Sequence, residues 1–197
     1  MHQPDNWGEV ARFGMFIVGA EAVPEAEWWA MAPPGVSVHA ARVTAPTPWA
    51  QWNADRSAVV PSGDLARGAK QFASMRLDAV VTGHTSSSVI GGPGWDDAVC
   101  SWLAGELRPG THATTNGLDC LRALEASAVS RPFLVLPPWF GDATLSAATA
   151  YLEAAGRAHA GHLRHDPGPD WRDVPYGEMY PRGLGFAQDV DALHDQI

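Results

Sequence analysis

The chain is short of cysteine, of positive charge and of long apolar runs, and each shortage closes off a class of protein. Two cysteines, Cys100 and Cys120, among 197 residues exclude a disulfide-dense scaffold. They form no CxxC, and no close histidine or cysteine completes a zinc pattern around them. Such usage fits a reducing cytoplasm. Lys and Arg number 13 against 22 Asp and Glu, a formal charge of −9 with pI near 5.2. The electrostatic footprint of a nucleic-acid binder is therefore missing. A small anionic substrate stays compatible, because a pocket needs only local donors. No stretch approaches the roughly 20 apolar residues of a membrane span. The N-terminus, MHQPDNWGEV, carries Asp5 and Glu9, and the apolar run at 15–20 is too short for a signal peptide. Walker A, GxGxxG, HExxH and GxSxG motifs are all absent.

What is present is a globular composition, 46% apolar and 18% charged, in a chain long enough for one ordinary domain or two small lobes. Strand and helix signals alternate. Residues 13–18 (FGMFIV) read as a buried strand, 24–32 (PEAEWWAMA) as a helix and 36–43 (VSVHAARV) as a second strand. Residues 44–52 read as an irregular loop. A helix follows over 62–76, with Ser62 as its cap, then a strand at 78–82. Further along, helices are expected at 95–107, 116–127 and 142–155, with strands at 111–115 and 133–136. Beyond 161 the signal fades until a helical turn near 189–196. This order implies βαβ units, a Rossmann-like parallel sheet flanked by helices, and chemistry in the loops leaving the strand ends. The expected division is a first α/β lobe over 1–115 and a partial second lobe over 116–197.

The segment 83–94 (GHTSSSVIGGPG) follows a strand and precedes a helix. It offers His84 as an acid/base, a row of hydroxyls, and glycines that let backbone N–H groups approach an anion. The competing reading is a glycine-rich turn whose hydroxyls cap the backbone. His159, His162 and His165 are spaced by three but sit beside Gly161 and a proline-rich stretch, so no metal site is expected. Trp28, Trp29, Trp49 and Trp52 bracket the second strand as core or as pocket wall. A Ser–His hydrolase is disfavoured, because neighbours on one tight loop seldom point at each other. Glu21 is a second acid/base candidate or an exposed loop carboxylate.

The stretches PPGVSVHAAR (33–42), HTSSSVIGGPGWD (84–96), ATTNGLDCLRAL (113–124), FLVLPPW (133–139), AYLEAAG (150–156) and RGLGFAQD (182–189) occur in an order that resembles the maleate cis-trans isomerase and arylmalonate decarboxylase branch of the Asp/Glu racemase superfamily. The resemblance implies two Rossmann-like lobes and cofactor-independent chemistry at the carbon next to a carboxylate. It places His84 where the family has its first catalytic cysteine and Trp139 where a tyrosine is usual. The family's asparagine after the first strand is not evident in 19–29, and its second cysteine has no counterpart. Neither Cys100 nor Cys120 fills that role by position; both fall in expected helices and read as buried hydrophobes. The resemblance thus leads to the expectation of an incomplete second lobe.

The expectation is thus an isomerase, racemase or decarboxylase acting on a small mono- or dicarboxylic acid, with His84 catalytic and Thr85, Ser86, Ser88, Thr114 and Thr115 holding carboxylate oxygens. No cofactor, nucleic acid or membrane is expected. Lyase or hydrolase action by His84 and a water is a variant of the same reading. The alternative is a catalytically degenerate carboxylate-binding or interaction protein. In that case an incomplete lobe leaves an unpaired sheet edge or apolar face, implying self-association or a partner.

Overall fold

The computed structural model describes residues 7–21 and 23–197; Asp5 and the rest of 1–6, together with residue 22, lie outside it. The chain divides into two compact units, 1–120 and 121–197. Among the described residues, no helix is long and apolar enough to cross a membrane.

The first unit is built on a four-stranded parallel sheet. Strands β1 (Ala11–Val18), β2 (Val36–Val43), β5 (Ala79–Thr82) and β6 (His112–Thr115) lie in the order β2-β1-β5-β6. The expected strands are all there, and the sheet is α/β as read from the sequence. Period-two alternation sorts β1 between two faces. Phe16 joins Ala41, Val43 and Val80 in a core shared with Leu65, Ala69 and Phe72 of α2 (Gly63–Ala73) and Val99 and Leu103 of α4 (Trp95–Glu106). Met15 and Ile17 join Val38 and Val81 on the opposite face, where Trp28 of α1 (Val23–Met31) packs. Ser62 caps α2, its hydroxyl accepting the Leu65 N–H at 3.3 Å.

Two segments depart from the sequence reading. Residues 44–52 are not wholly irregular: β3 (Ala50–Trp52) pairs antiparallel with β4 (Val59–Pro61). A three-residue strand is too short to leave a periodic signal, and tertiary contacts hold it. The indole N–H of Trp95 donates to the Ala50 carbonyl at 2.8 Å, and that of Trp52 to the Gly91 carbonyl at 2.9 Å. The segment 83–94 is likewise not a loop throughout, because Thr85–Gly91 forms the short helix α3. Serine and threonine depress helix propensity, which hides a helix held by burial of Ser87, Ser88 and Val89.

The second unit carries most of α5 (Asn116–Ala126), then β7 (Phe133–Leu136), α6 (Asp142–Ala154) and β8 (Gly161–Arg164), with β7 and β8 paired in parallel. The strand β8 had no expectation behind it: GHLR offers a single large apolar residue. After α7 (Tyr176–Met179) the chain ends in α8 (Val190–Gln196), capped by Asp189. Gln196 clamps that helix, its side-chain oxygen accepting the Asp166 N–H and its amide donating to the Asp166 carbonyl.

Beta strands β1 and β5 are neighbours whose connections leave in opposite directions, and Gly83 sits at this divide. Its N–H donates to the Phe16 carbonyl at 2.9 Å, and a Cβ there would stand 2.6 Å from that same oxygen. Only glycine allows this approach of backbone to backbone. Gly83→Ala is expected to lower stability by about 1–3 kcal/mol, read as a reduced urea midpoint with an unchanged m-value.

Candidate functional site

Open parallel sheets bind ligands at the carboxyl ends of their strands, at the point where the strand order reverses. Here a cavity of about 240 Å³ lies at that point, wholly within the first unit. It is lined by Val18, Gly19 and Ala20 after β1, by Val43, Thr44, Ala45 and Thr47 after β2, by Trp49, and by His84 after β5. His84 is the one residue among these linings with an acid/base side chain.

Each wall is held from behind. Arg42 of β2 donates to the carbonyls of Gly19 and Glu21, at 3.2 and 2.6 Å, and pairs with Glu25 of α1, which fixes the turn after β1. Asp64, in the first turn of α2, accepts the Thr44 N–H at 2.8 Å and the Thr44 hydroxyl as well. These bonds hold its carboxyl well below the usual range and commit Thr44's own donors. Trp49, 1% exposed, stacks on His84 with ring centroids 4.3 Å apart and planes at 18°.

His84 occupies the residue before α3, and its Nδ1 lies 2.8 Å from the hydroxyl of Ser87 one turn on. Ser87 is fully buried and also accepts the Trp49 N–H at 3.0 Å. Nε2 of His84 has no hydrogen-bond partner among the described residues. Burial against the indole pushes the imidazole down to about 4, so the ring is neutral at physiological pH. Glu21, on the turn that follows the wall residues, has its carboxyl raised by burial and then by Glu27.

The predicted hydroxyls divide into two sets. Thr85 is exposed and Ser86 half-buried on α3; Thr85 accepts a long bond, 3.4 Å, from the Asn116 side chain. Ser88 and Thr115 instead both donate to one oxygen of Asp96, each at 2.6 Å, and Thr114 donates to Asp119 at 2.7 Å. Asp96 is 5% exposed and stands in the first turn of α4, so a carboxylate of the protein itself ties α3, α4 and β6 together. Of the six predicted residues, His84 alone lines the cavity.

Sequence reading did not single out Ser87 or Asp96; Trp49, left open between core and pocket wall, is both. It also discounted a Ser–His contact that the helical turn creates, since residues three apart in α3 face each other. Burial of Ser87 makes that contact a means of holding the ring rather than a nucleophile pair. Cys100 is half-buried and Cys120 exposed rather than buried, and neither lines the cavity. His162 lies on β8 with its ring 6.3 Å from that of His159, whereas His165 is buried. Among the described residues, no group of three or more His, Cys, Asp or Glu is placed to hold a metal.

No protein-family model matches the chain, and no curated protein matches it significantly in sequence. Solved structures do match. The Nocardia farcinica maleate cis-trans isomerase superposes with a TM-score of 0.63 at 17% identity, over 79% of this chain and 63% of its own. The fold is that of the maleate isomerases and arylmalonate decarboxylases. The maleate isomerase of Pseudomonas putida S16 gives 0.61 at 17% identity over 80% of this chain and 68% of its own. Unliganded arylmalonate decarboxylase gives 0.58 at 17% identity over 79% and 62%. This maleate isomerase-like fold agrees with the motif order read from the sequence, and the chain spans a little under two thirds of the Nocardia enzyme's length.

Two outcomes follow from the buried groups. Asp96→Ala strips two buried hydroxyls of their acceptor and should lower stability by about 2–4 kcal/mol, measured by urea unfolding. The imidazole of His84 is held neutral when folded, so its contribution is complete above about pH 6.5 and is lost as pH falls towards about 4. The urea midpoint of the wild type should therefore fall between pH 6.5 and 5 more steeply than that of His84→Gln.

Proposed function

We propose that the protein is a cofactor-independent enzyme of the isomerase or decarboxylase kind, acting at the carbon next to a carboxylate of a small carboxylic acid. The observation that carries this reading is His84 Nε2, unpartnered among the described residues, on a ring that lines the cavity where the strand order reverses. The fold shared with maleate isomerases and arylmalonate decarboxylases supports the same class of chemistry.

Reactions of this class develop negative charge on carboxylate oxygens as the adjacent carbon loses a proton or carbon dioxide. Donors aimed at those oxygens lower the barrier most where water is excluded. His84 is the group that meets the reacting carboxylate, standing where the resemblance places the family's first cysteine. Thr85 and Ser86, whose hydroxyls are not drawn to a protein carboxylate, are the further candidates for carboxylate contact. Ser88, Thr114 and Thr115 act behind them, through Asp96 and Asp119. Val18, Val43, Ala45 and Trp49 give the wall an apolar side beside Thr44 and Thr47, and among the described residues no Lys or Arg lines it. That composition favours an acid with an apolar or aromatic substituent over one with a second free carboxylate.

A second reading is a protein that binds carboxylates without turning them over. The commitment of Ser88, Thr114 and Thr115 to internal carboxylates favours it, because it leaves few donors for a transition state.

Incubation in D₂O with maleate, arylmalonates, aspartate, glutamate and hydantoins, followed by NMR, separates the two. Deuterium exchange or product formation should appear, strongest with the aryl-bearing acids, and should fall by at least about 100-fold in His84→Ala. A folded protein silent across the panel, or exchange unchanged by His84→Ala, would overturn the enzymatic reading.

A further inference from the structure

We infer that Ser87 holds His84 as its Nε2–H tautomer, so that the imidazole meets a ligand as a neutral hydrogen-bond donor to a carboxylate or enediolate oxygen, and not as a base. The ligand half of this inference rests on the function proposed above; the tautomer half does not.

A serine hydroxyl has one proton to give and two lone pairs to receive. Ser87 Oγ receives the Trp49 N–H at 3.0 Å. Its own proton has a single acceptor among the described residues, His84 Nδ1 at 2.8 Å. If Nδ1 carried the ring proton instead, the Ser87 hydroxyl proton would be left without an acceptor in a side chain that is 0% exposed. A buried donor left unmet is the costlier arrangement. The lone pair of Nδ1 is therefore used inside the protein, and a neutral ring then carries its proton on Nε2.

Three further observations fit this assignment. Nε2 has no partner within the described protein, so its N–H is available to a ligand. The stack on Trp49 and the Ser87 bond together fix both the plane and the direction of the ring. Burial keeps the doubly protonated ring, which would compete with the tautomer, out of the neutral range. A neutral imidazole donor suits developing negative charge, because it need not be deprotonated or reorganised as that charge forms. Ser87 is then a positioning residue: it never meets the ligand and acts by setting which nitrogen bears hydrogen.

The assignment is tested on the intact protein with ¹⁵N-labelled histidine. Long-range ¹H–¹⁵N correlations at pH 7 should show His84, identified by its absence in His84→Gln, with Nε2 protonated and Nδ1 unprotonated. Ser87→Ala should move the Nδ1 resonance and populate the other tautomer. A wild-type ring protonated on Nδ1 at pH 7 would overturn the inference, and this measurement needs no substrate to be known. The donor role has its own readout. On any substrate found in the D₂O panel, His84→Gln keeps an N–H but cannot take up a proton, and should retain turnover at least about tenfold above His84→Ala. Equal loss in both variants would overturn the donor role. A silent panel alongside the Nε2–H signature would instead contradict the proposed function and leave the tautomer standing.

Discussion

Hydroxyls buried beside a sheet must find their partners inside the protein, and that constraint shapes this site. Ser87, Ser88 and Thr115 are each fully buried at the carboxyl ends of β5 and β6. None can turn to water, so each is answered by another element: Ser87 by the Trp49 backbone and the His84 ring, Ser88 and Thr115 by the Asp96 carboxylate. The result is a short helix that could not persist on its own propensity. It is held at its start through Ser87, at its middle through Ser88, and at its end by the Trp52 indole on Gly91. Because α3 cannot shift, the ring that precedes it cannot shift either.

The sheet decides where this rigidity matters. With β1 flanked by β2 on one side and β5 on the other, the turns after these strands diverge and leave a hollow between them. Gly83, just before His84, carries the end of β5 past β1 in contact with the Phe16 carbonyl. Arg42 and Asp64 brace the opposite walls by binding backbone rather than ligand. These two charged groups are thus engaged with the protein, and what lines the cavity is apolar and hydroxyl-bearing surface with one imidazole. An imidazole in such surroundings is deprived of its charged form, which makes it a donor or acceptor of hydrogen bonds before it is an acid.

The sheet and most of its helices were legible in the sequence because their signals are long and local. VSVHAARV alternates cleanly, and Ser62 caps a helix whose apolar residues recur at helical spacing. The position of His84 at a strand end was equally legible. What escaped was short or non-local. β3 and β8 have three and four residues; pairing with β4 and the indole latches make the one a strand, and pairing with β7 the other. The serines at 86–88 read as part of a glycine-rich loop, yet two of them are the buried side of a helix. Asp96, in the first turn of α4, was not singled out. That it would receive the hydroxyls of Ser88 and Thr115, eight and nineteen residues away, follows only from the fold. The family motifs carried the architecture correctly, while the partners of the individual hydroxyls depended on contacts that no local spacing encodes.

The central claim is that a small acid binds at the reversal between β1 and β5 against His84. Its most direct test is a ¹H–¹⁵N titration of the labelled protein with phenylacetate, an acid with one carboxylate and an apolar body that has no malonate group to lose. The account predicts saturable shifts confined to Gly19, Thr44, the Trp49 indole and the His84 imidazole, with the largest at Nε2. Shifts centred elsewhere, or shifts at these residues that persist undiminished in His84→Ala, would contradict it.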